Sequence, residues 1–300
     1  PNSISEFFHT KDRKNAKYLT INEIDNVCDA CKLNEIKNQL DWEEREKKLI
    51  KLLDKHRKNN GEYDCLVPGS GGKDSVIQSH ILKYKYGMNP LTCTWPPILY
   101  TDYGYQNFKN WIEVGGFDNV TFKPNGRAMK ILTKLGILNL FHPFQTFILG
   151  QKNLAPKIAK NFGIDLIFYG ENEAEYGNPI ADNSQSLRDK SYYTLKNLED
   201  SYIAGIPYKE LLENHHVTKS DLKVFLPLEA SEYEGTNMEV HYLGYYLKWI
   251  PQEAYYYAVE NTKFEARPFR TQGTYSKYLS LIHISEPTRL LSIGVGGVGI

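Results

Sequence analysis

Between residues 62 and 170, short apolar runs alternate with longer stretches of mixed character. Runs at 64–68, 91–95, 119–122 and 165–169 have the length and composition of strands. The intervening windows, 73–86, 105–114, 126–138 and about 146–162, predict helices. Short apolar strands separated by helices argue for an α/β fold, a parallel twisted sheet with helices on both faces. Ligands of such sheets bind outside the carboxyl ends of the strands.

The flanking stretches differ. Residues 1–60 are polar and end in a charged helical stretch whose apolar points are Trp42, Leu49, Ile50, Leu52 and Leu53; Asn59-Asn60-Gly61 stops it. The acids and bases of its wet side imply solvation, not binding. Residues 171–240 are more polar and are expected to form an insertion around the mouth of a site. Residues 241–262 predict a strand or short helix, then a further helix opened by Pro251.

The most specific stretch follows the first strand. Residues 66–75 read Leu-Val-Pro-Gly-Ser-Gly-Gly-Lys-Asp-Ser. A strand opening through glycines into a helix leaves free backbone N–H groups that suit phosphate oxygens. Gly71 and Gly72 let the backbone pass close to an anion. Lys73 adds a full positive charge, and Ser70 and Ser75 supply hydroxyl donors. The Walker A pattern is excluded: it needs glycine at 67 and Ser or Thr at 74, where the chain has Val67 and Asp74. Ser-Gly-Gly-Lys-Asp-Ser looks instead like the pyrophosphate loop of the PP-loop ATPases, which cleave ATP between its α- and β-phosphates. The plainer alternative is a glycine-rich turn that holds nothing.

Charge and cysteine content narrow the setting. Lys plus Arg (36) equals Asp plus Glu (36), which counts against a broad nucleic-acid footprint. No apolar run reaches membrane-spanning length and the first residues do not resemble a signal peptide, so a cytoplasmic location and no membrane partner are expected. Of the four cysteines, Cys65 and Cys93 lie in strand-like runs and read as buried core thiols. Cys28 and Cys31 form a C-x-x-C, half of a Zn²⁺ site or a redox pair.

Other residues gather near the expected carboxyl edge. Glu171, Asn172 and Glu175 follow the fourth strand, where carboxylates can hold Mg²⁺ bridging phosphates or orient a reacting group; solvated acids are the alternative. Asp102 follows the second strand and either contacts the nucleotide or caps the next helix. His142 is either a substrate contact or structural. Arg267, Arg270 and Lys277 form a basic, hydroxyl-rich segment that either grips an anionic substrate or is surface charge.

Six segments, taken in order, carry a family resemblance: Val-Cys-Asp-Ala-Cys, Leu-Asp-Trp-Glu-Glu-Arg, the glycine loop with its strand, Tyr-Gly-Glu-Asn-Glu-Ala-Glu-Tyr-Gly, Pro-Gln-Glu-Ala-Tyr-Tyr-Tyr-Ala-Val-Glu-Asn-Thr and Thr-Gln-Gly-Thr-Tyr-Ser-Lys-Tyr. From about residue 20 to 278 the chain resembles the bacterial N-acetyl sugar amidotransferases of surface-polysaccharide (lipopolysaccharide O-antigen) and flagellar-glycan biosynthesis. That family implies a PP-loop, Rossmann-like fold of the adenine nucleotide alpha hydrolase type, and a reaction in which ATP adenylates a sugar's N-acetyl carbonyl, ammonia displaces AMP, and an acetamidino group results. It further implies that Ser70, Gly71, Gly72, Lys73, Asp74 and Ser75 hold the departing pyrophosphate, with Lys73 neutralising its charge and Asp74 holding Mg²⁺ or ordering the loop. The candidate catalytic set is then Lys73, Asp74 and Glu171, with Asp102, Asn172 and Glu175 as further candidates for the nucleotide. The substrate would be a nucleotide-linked N-acetyl sugar, and a glutaminase subunit and an ammonia-channel subunit would be partners. A further C-x-x-C upstream would complete the zinc site of Cys28 and Cys31.

The ends carry separate expectations. Pro1, which is not an initiator methionine, implies a start inside a longer protein or processing. Residues 279–289, Leu-Ser-Leu-Ile-His-Ile-Ser-Glu-Pro-Thr-Arg, match one reading frame of a common sequencing adapter, so the chain from about 279 onward is expected to be an assembly artefact on a truncated frame, the alternative being a real C-terminal tail. The organisation is therefore an N-terminal segment (1–60), an ATPase region (61–278) and a non-native tail. Two other functions remain: a PP-loop enzyme that modifies tRNA, of the thiolase or lysidine type, and a non-catalytic nucleotide-binding subunit.

Overall fold

The computed structural model describes Val27 and residues 35–170 and 185–268. At its centre lies a five-stranded sheet in the order β3-β2-β1-β4-β9, parallel throughout. Its strands are β1 (Cys65–Pro68), β2 (Pro90–Thr94), β3 (Asn119–Thr121), β4 (Leu166–Tyr169) and β9 (Glu239–Tyr242). The four strands expected from the sequence are present, shortened by a residue at one end in β1, β3 and β4 and shifted by one in β2.

Side chains alternate across this sheet, as strand geometry requires. Leu66, Leu91, Cys93, Ile167 and Val240 face one core, and Cys65, Val67, Leu166 and Phe168 face another. Helices cover both faces, as expected. The first core is closed by α4 (Gly126–Leu140) and α5 (Gln145–Asn161). The second is closed by α1 (Trp42–His56), α2 (Lys73–His80) with a π-helical turn over Ile81–Lys85, and residues from 243 to 249. A third apolar cluster joins Val76 of α2 to Trp111 of α3 (Asp102–Glu113), and to Ala258 and Phe264 near the end of the described chain. Cys65 and Cys93 are buried thiols, and burial pushes both far above the usual thiol range.

Strand order fixes where the chain can bind. β2 and β3 are laid down on one side of β1, and β4 and β9 on the other. The reversal falls between β1 and β4, and the crevice at their carboxyl ends is where doubly wound sheets take ligands.

The stretch expected as an insertion is, over residues 185–238, packed into the larger core. Tyr193, Leu195, Ile203, Phe225 and Leu228 share that cluster with Leu66 and Ile167. Its strands are two residues each, β5 (Thr194–Leu195) with β8 (Leu228–Glu229) and β6 (Tyr202–Ile203) with β7 (Ile206–Pro207). Helices α6 (Tyr208–Asn214), α7 (Lys219–Lys223) and α8 (Ala230–Tyr233) precede β9, and two follow it: the single turn α9 (Leu243–Tyr246), then α10 (Pro251–Thr262), which Pro251 opens as expected. No helix among the described residues is long and apolar enough to cross a membrane.

Candidate nucleotide site at the glycine loop

β1 ends at Pro68, and the chain turns through Gly69, Ser70, Gly71 and Gly72 into α2. The turn is held from inside. The Ser75 hydroxyl donates to the Gly72 carbonyl at 2.9 Å and accepts from the Ser70 N–H at 3.3 Å. The Gly69 N–H donates to the Cys93 carbonyl at 2.9 Å, which ties the loop to β2.

Glycine is required at two of these positions for different reasons. A Cβ on Gly69 would lie 2.3 Å from Ser75 Cβ and 2.8 Å from the Trp111 ring, so close packing excludes it. Gly71 has φ +81° and backs onto α3, where a Cβ would fall 2.5 Å from Phe108 Cα.

Gly72 is the N-cap of α2, and no side chain caps the first turn. A helix leaves its first N–H groups without intrahelical acceptors, and its dipole places partial positive charge there. Lys73 is 4% exposed, and its Nζ lies 2.6 and 2.5 Å from the two carboxylate oxygens of Asp74. Neighbours on a helix do not ordinarily face each other, so the buried lysine bends round to reach the carboxylate of the next residue. These features make the loop a candidate anion site: a helix N-terminus and a buried ammonium, the latter paired with the partly exposed Asp74 carboxylate.

Three elements support the loop. The Trp111 indole N–H donates to Ser79 Oγ at 2.8 Å, which locks α3 against α2. The Gln78 side-chain amide donates to the Pro68 carbonyl at 3.2 Å and braces the end of β1. A Cβ on Gly170 would meet the Trp249 ring at 3.1 Å and Gln78 Oε1 at 3.4 Å, so the chain leaves β4 beside α2. Trp111, Ser79 and Gln78 were not singled out by sequence reasoning; their spacing resembles any helix face.

The structure brings Ser70, Gly71, Gly72, Lys73, Asp74 and Ser75 together, with the Ser75 hydroxyl engaged inside the turn. Asp102 is the first residue of α3 and exposed at the same edge. It does not cap that helix: Thr101 does, its hydroxyl accepting from the Gly104 N–H at 3.0 Å. Glu171, Asn172 and Glu175, the cysteines Cys28 and Cys31, and the basic residues Arg270 and Lys277 lie outside the described residues. Among those described, no group of three metal-ligating side chains comes together. Arg188 is buried on the β9 side, its guanidinium 5.3 Å from the Tyr169 ring, 5.0 Å from Tyr192 and 5.8 Å from Tyr242.

No family model matches the chain. Uncharacterized protein MJ1599 of Methanocaldococcus jannaschii is 37% identical over 65 residues, which is 22% of this chain and 23% of that protein; the match thus spans under a quarter of the relative's length. Similar solved structures include the NMN synthetase of Francisella tularensis, 15% identical, with 81% of this chain and 92% of that one covered and a TM-score of 0.34. They also include the NH3-dependent NAD synthetase of Campylobacter jejuni, at 12%, 85% and 93% covered and 0.35. A third is the U34-tRNA thiolase NcsA of Methanococcus maripaludis, at 14%, 96% and 82% covered and 0.40. Likeness at this level carries no assignment of activity.

Proposed function

We propose that this chain is an ATP pyrophosphatase of the PP-loop type, which uses ATP to activate the acetamido carbonyl of an N-acetyl sugar for attack by ammonia. The observation that carries this reading is the uncapped first turn of α2, opening where strand order reverses, with buried Lys73 as its first residue. The sugar and the ammonia enter through the resemblance of the sequence motifs, and the donors that would feed the reaction are the proposed glutaminase and channel partners.

In this reading the carbonyl oxygen attacks the α-phosphorus of ATP. An oxygen–phosphorus bond forms, the bond to the α,β-bridging oxygen breaks, and pyrophosphate leaves with the electron pair. The N–H groups at the start of α2 and the Lys73 ammonium meet the charge that develops on that leaving group, a contribution of the oxyanion-hole kind. Ammonia then adds to the activated carbon, AMP departs with its oxygen, and loss of protons leaves the acetamidino group. Magnesium is generally bound by one or two carboxylates together with substrate phosphates. Asp74 and Asp102, at the same edge, would hold the Mg²⁺ that accompanies ATP and offsets phosphate charge.

The test incubates the full chain with ATP, ammonium and nucleotide-linked N-acetyl sugars, and reads both nucleotide and sugar products. AMP, pyrophosphate and a sugar with its carbonyl oxygen replaced by an imino nitrogen are expected. AMP with an unchanged sugar would refute the amidotransferase part, and ADP would refute the ATP pyrophosphatase assignment altogether.

A further inference from the structure

Past α10 the chain does not wander off. Lys263 turns it with φ +53°, and residues 263–267 run back along α3. The Asn110 amide donates to the Lys263 carbonyl at 2.8 Å. One turn nearer the start of α3, Asn107 makes two bonds to Glu265: its amide donates to the Glu265 carbonyl at 2.9 Å, and the Glu265 N–H donates to Asn107 Oδ1 at 2.8 Å. Phe264, between these rungs, is buried with Trp111 and Val76. Asn107 is 1% exposed, so a buried carboxamide has its hydrogen-bonding capacity committed to holding backbone.

The direction of the strap follows from the rungs. It passes from Asn110 to Asn107, toward the first turn of α3 and the carboxyl edge of the sheet. Two residues on from Glu265, in the same direction, comes Arg267. Gly71 packs on the same stretch of α3, since its Cβ would also lie 3.0 Å from the Asn107 carbonyl carbon. Asn107 therefore backs the glycine loop with its main chain and registers the strap with its side chain. Arg267 is partly buried and makes no ion pair among the described residues.

We propose that the 263–267 strap is a positioning device that delivers the Arg267 guanidinium to the polyphosphate held at the glycine loop, with Asn107 as the residue that sets its register. Arg267 is then a binding residue for an anionic oxygen, through the paired N–H geometry that suits phosphate. Asn107 acts through it. This inference rests on the nucleotide reading of the loop given above.

The experiment titrates the full chain with inorganic pyrophosphate by calorimetry and compares R267Q, R267K, N107A, N110A and K73A. R267Q is expected to weaken binding about tenfold or more, R267K to recover part of that, and N107A to weaken it in the same direction. A double N107A/R267Q variant should bind no worse than R267Q alone, because Asn107 works only by placing Arg267. If N107A does not fold, N110A makes the same comparison at the outer rung. Binding by R267Q equal to wild type, with K73A impaired, would overturn the strap while leaving the loop reading intact. A wild-type chain that binds no pyrophosphate would overturn both.

Discussion

Gly71 rests on the backbone of Phe108, with 2.5 Å between the Phe108 Cα and the place a Gly71 Cβ would occupy. The loop is thus seated on α3, and Gly71→Ala meets both that contact and a φ of +81°. Backbone strain alone costs about 1–3 kcal/mol, and the clash adds to it. The variant is expected to unfold at lower temperature and to lose ATP binding. Gly72→Ala is the control: its nearest neighbour is Ser70 Oγ at 3.9 Å, so it folds at a cost of about 1 kcal/mol for a poorer N-cap. It should nevertheless weaken nucleotide binding, because the added methyl stands at the helix start. Thermal unfolding and nucleotide titration of both variants check this.

Lys73→Ala removes the buried cation in the first turn of α2. Loss of one preorganised donor of this kind lowers turnover by about 10²–10³-fold. Lys73→Arg should not restore it, since a site only 4% exposed has no space for the broader guanidinium. Steady-state AMP release by the two variants is the measurement. Turnover unchanged in Lys73→Ala would contradict the role of this ammonium in the chemistry.

Ser79→Ala leaves the buried Trp111 N–H without its acceptor. The expected cost is about 1–3 kcal/mol, read from urea unfolding. Because the same indole packs against Gly69, nucleotide affinity should fall as well. A stability loss with unaltered affinity would separate α3 packing from loop geometry.

At the opposite end of the sheet, Glu239 at the start of β9 accepts from Lys55 at 2.5 Å and lies 3.2 Å from His241 Nε2 and 3.5 Å from His56 Nε2. His241 Nδ1 lies 2.9 Å from the Tyr246 hydroxyl, which fits a neutral ring donating from Nε2 to Glu239 and accepting at Nδ1. Burial lowers both histidines below their usual 6.5, against the pull of Glu239. For Glu239 burial works upward but is outweighed by the bonds from Lys55 and His241, and its carboxyl falls to about 2. In each case the unfolded chain binds more protons than the folded one, so stability rises with pH across the window. Acidification should therefore destabilise the fold twice, first as pH falls below 6.5 and again as it falls from 4.5 toward 2. Unfolding midpoints measured against pH check this, with His241→Gln flattening the upper step and Glu239→Gln the lower.

Legibility in the sequence followed local physics. β1, β2 and β4 announced themselves because central parallel strands are buried on both faces and read as unbroken apolar runs. β9 did not: Glu239 and His241 put an acid and an imidazole into its four residues, so only a strand or short helix was expected there. α3 starts three residues earlier than the sequence pattern predicts, because the Thr101 hydroxyl satisfies the Gly104 N–H. Within the site, the need for glycine at Gly71 was legible, but its cause is a φ of +81° and close packing on Phe108, where the sequence pointed to approach of an anion. Asn107, Ser79 and Trp111 were not, since their roles come from contacts made across the fold. The two-residue strands between 194 and 229 carry too short a pattern for any period to show.

The most direct measurement is a crystal structure of the chain with a non-hydrolysable ATP analogue bridged by methylene between its α- and β-phosphates. The β- and γ-phosphates are expected against the N–H groups of the first turn of α2, with the Lys73 ammonium in contact. A triphosphate bound elsewhere, with the turn from Gly69 to Gly72 vacant, would contradict the reading of this loop as the seat of the chemistry.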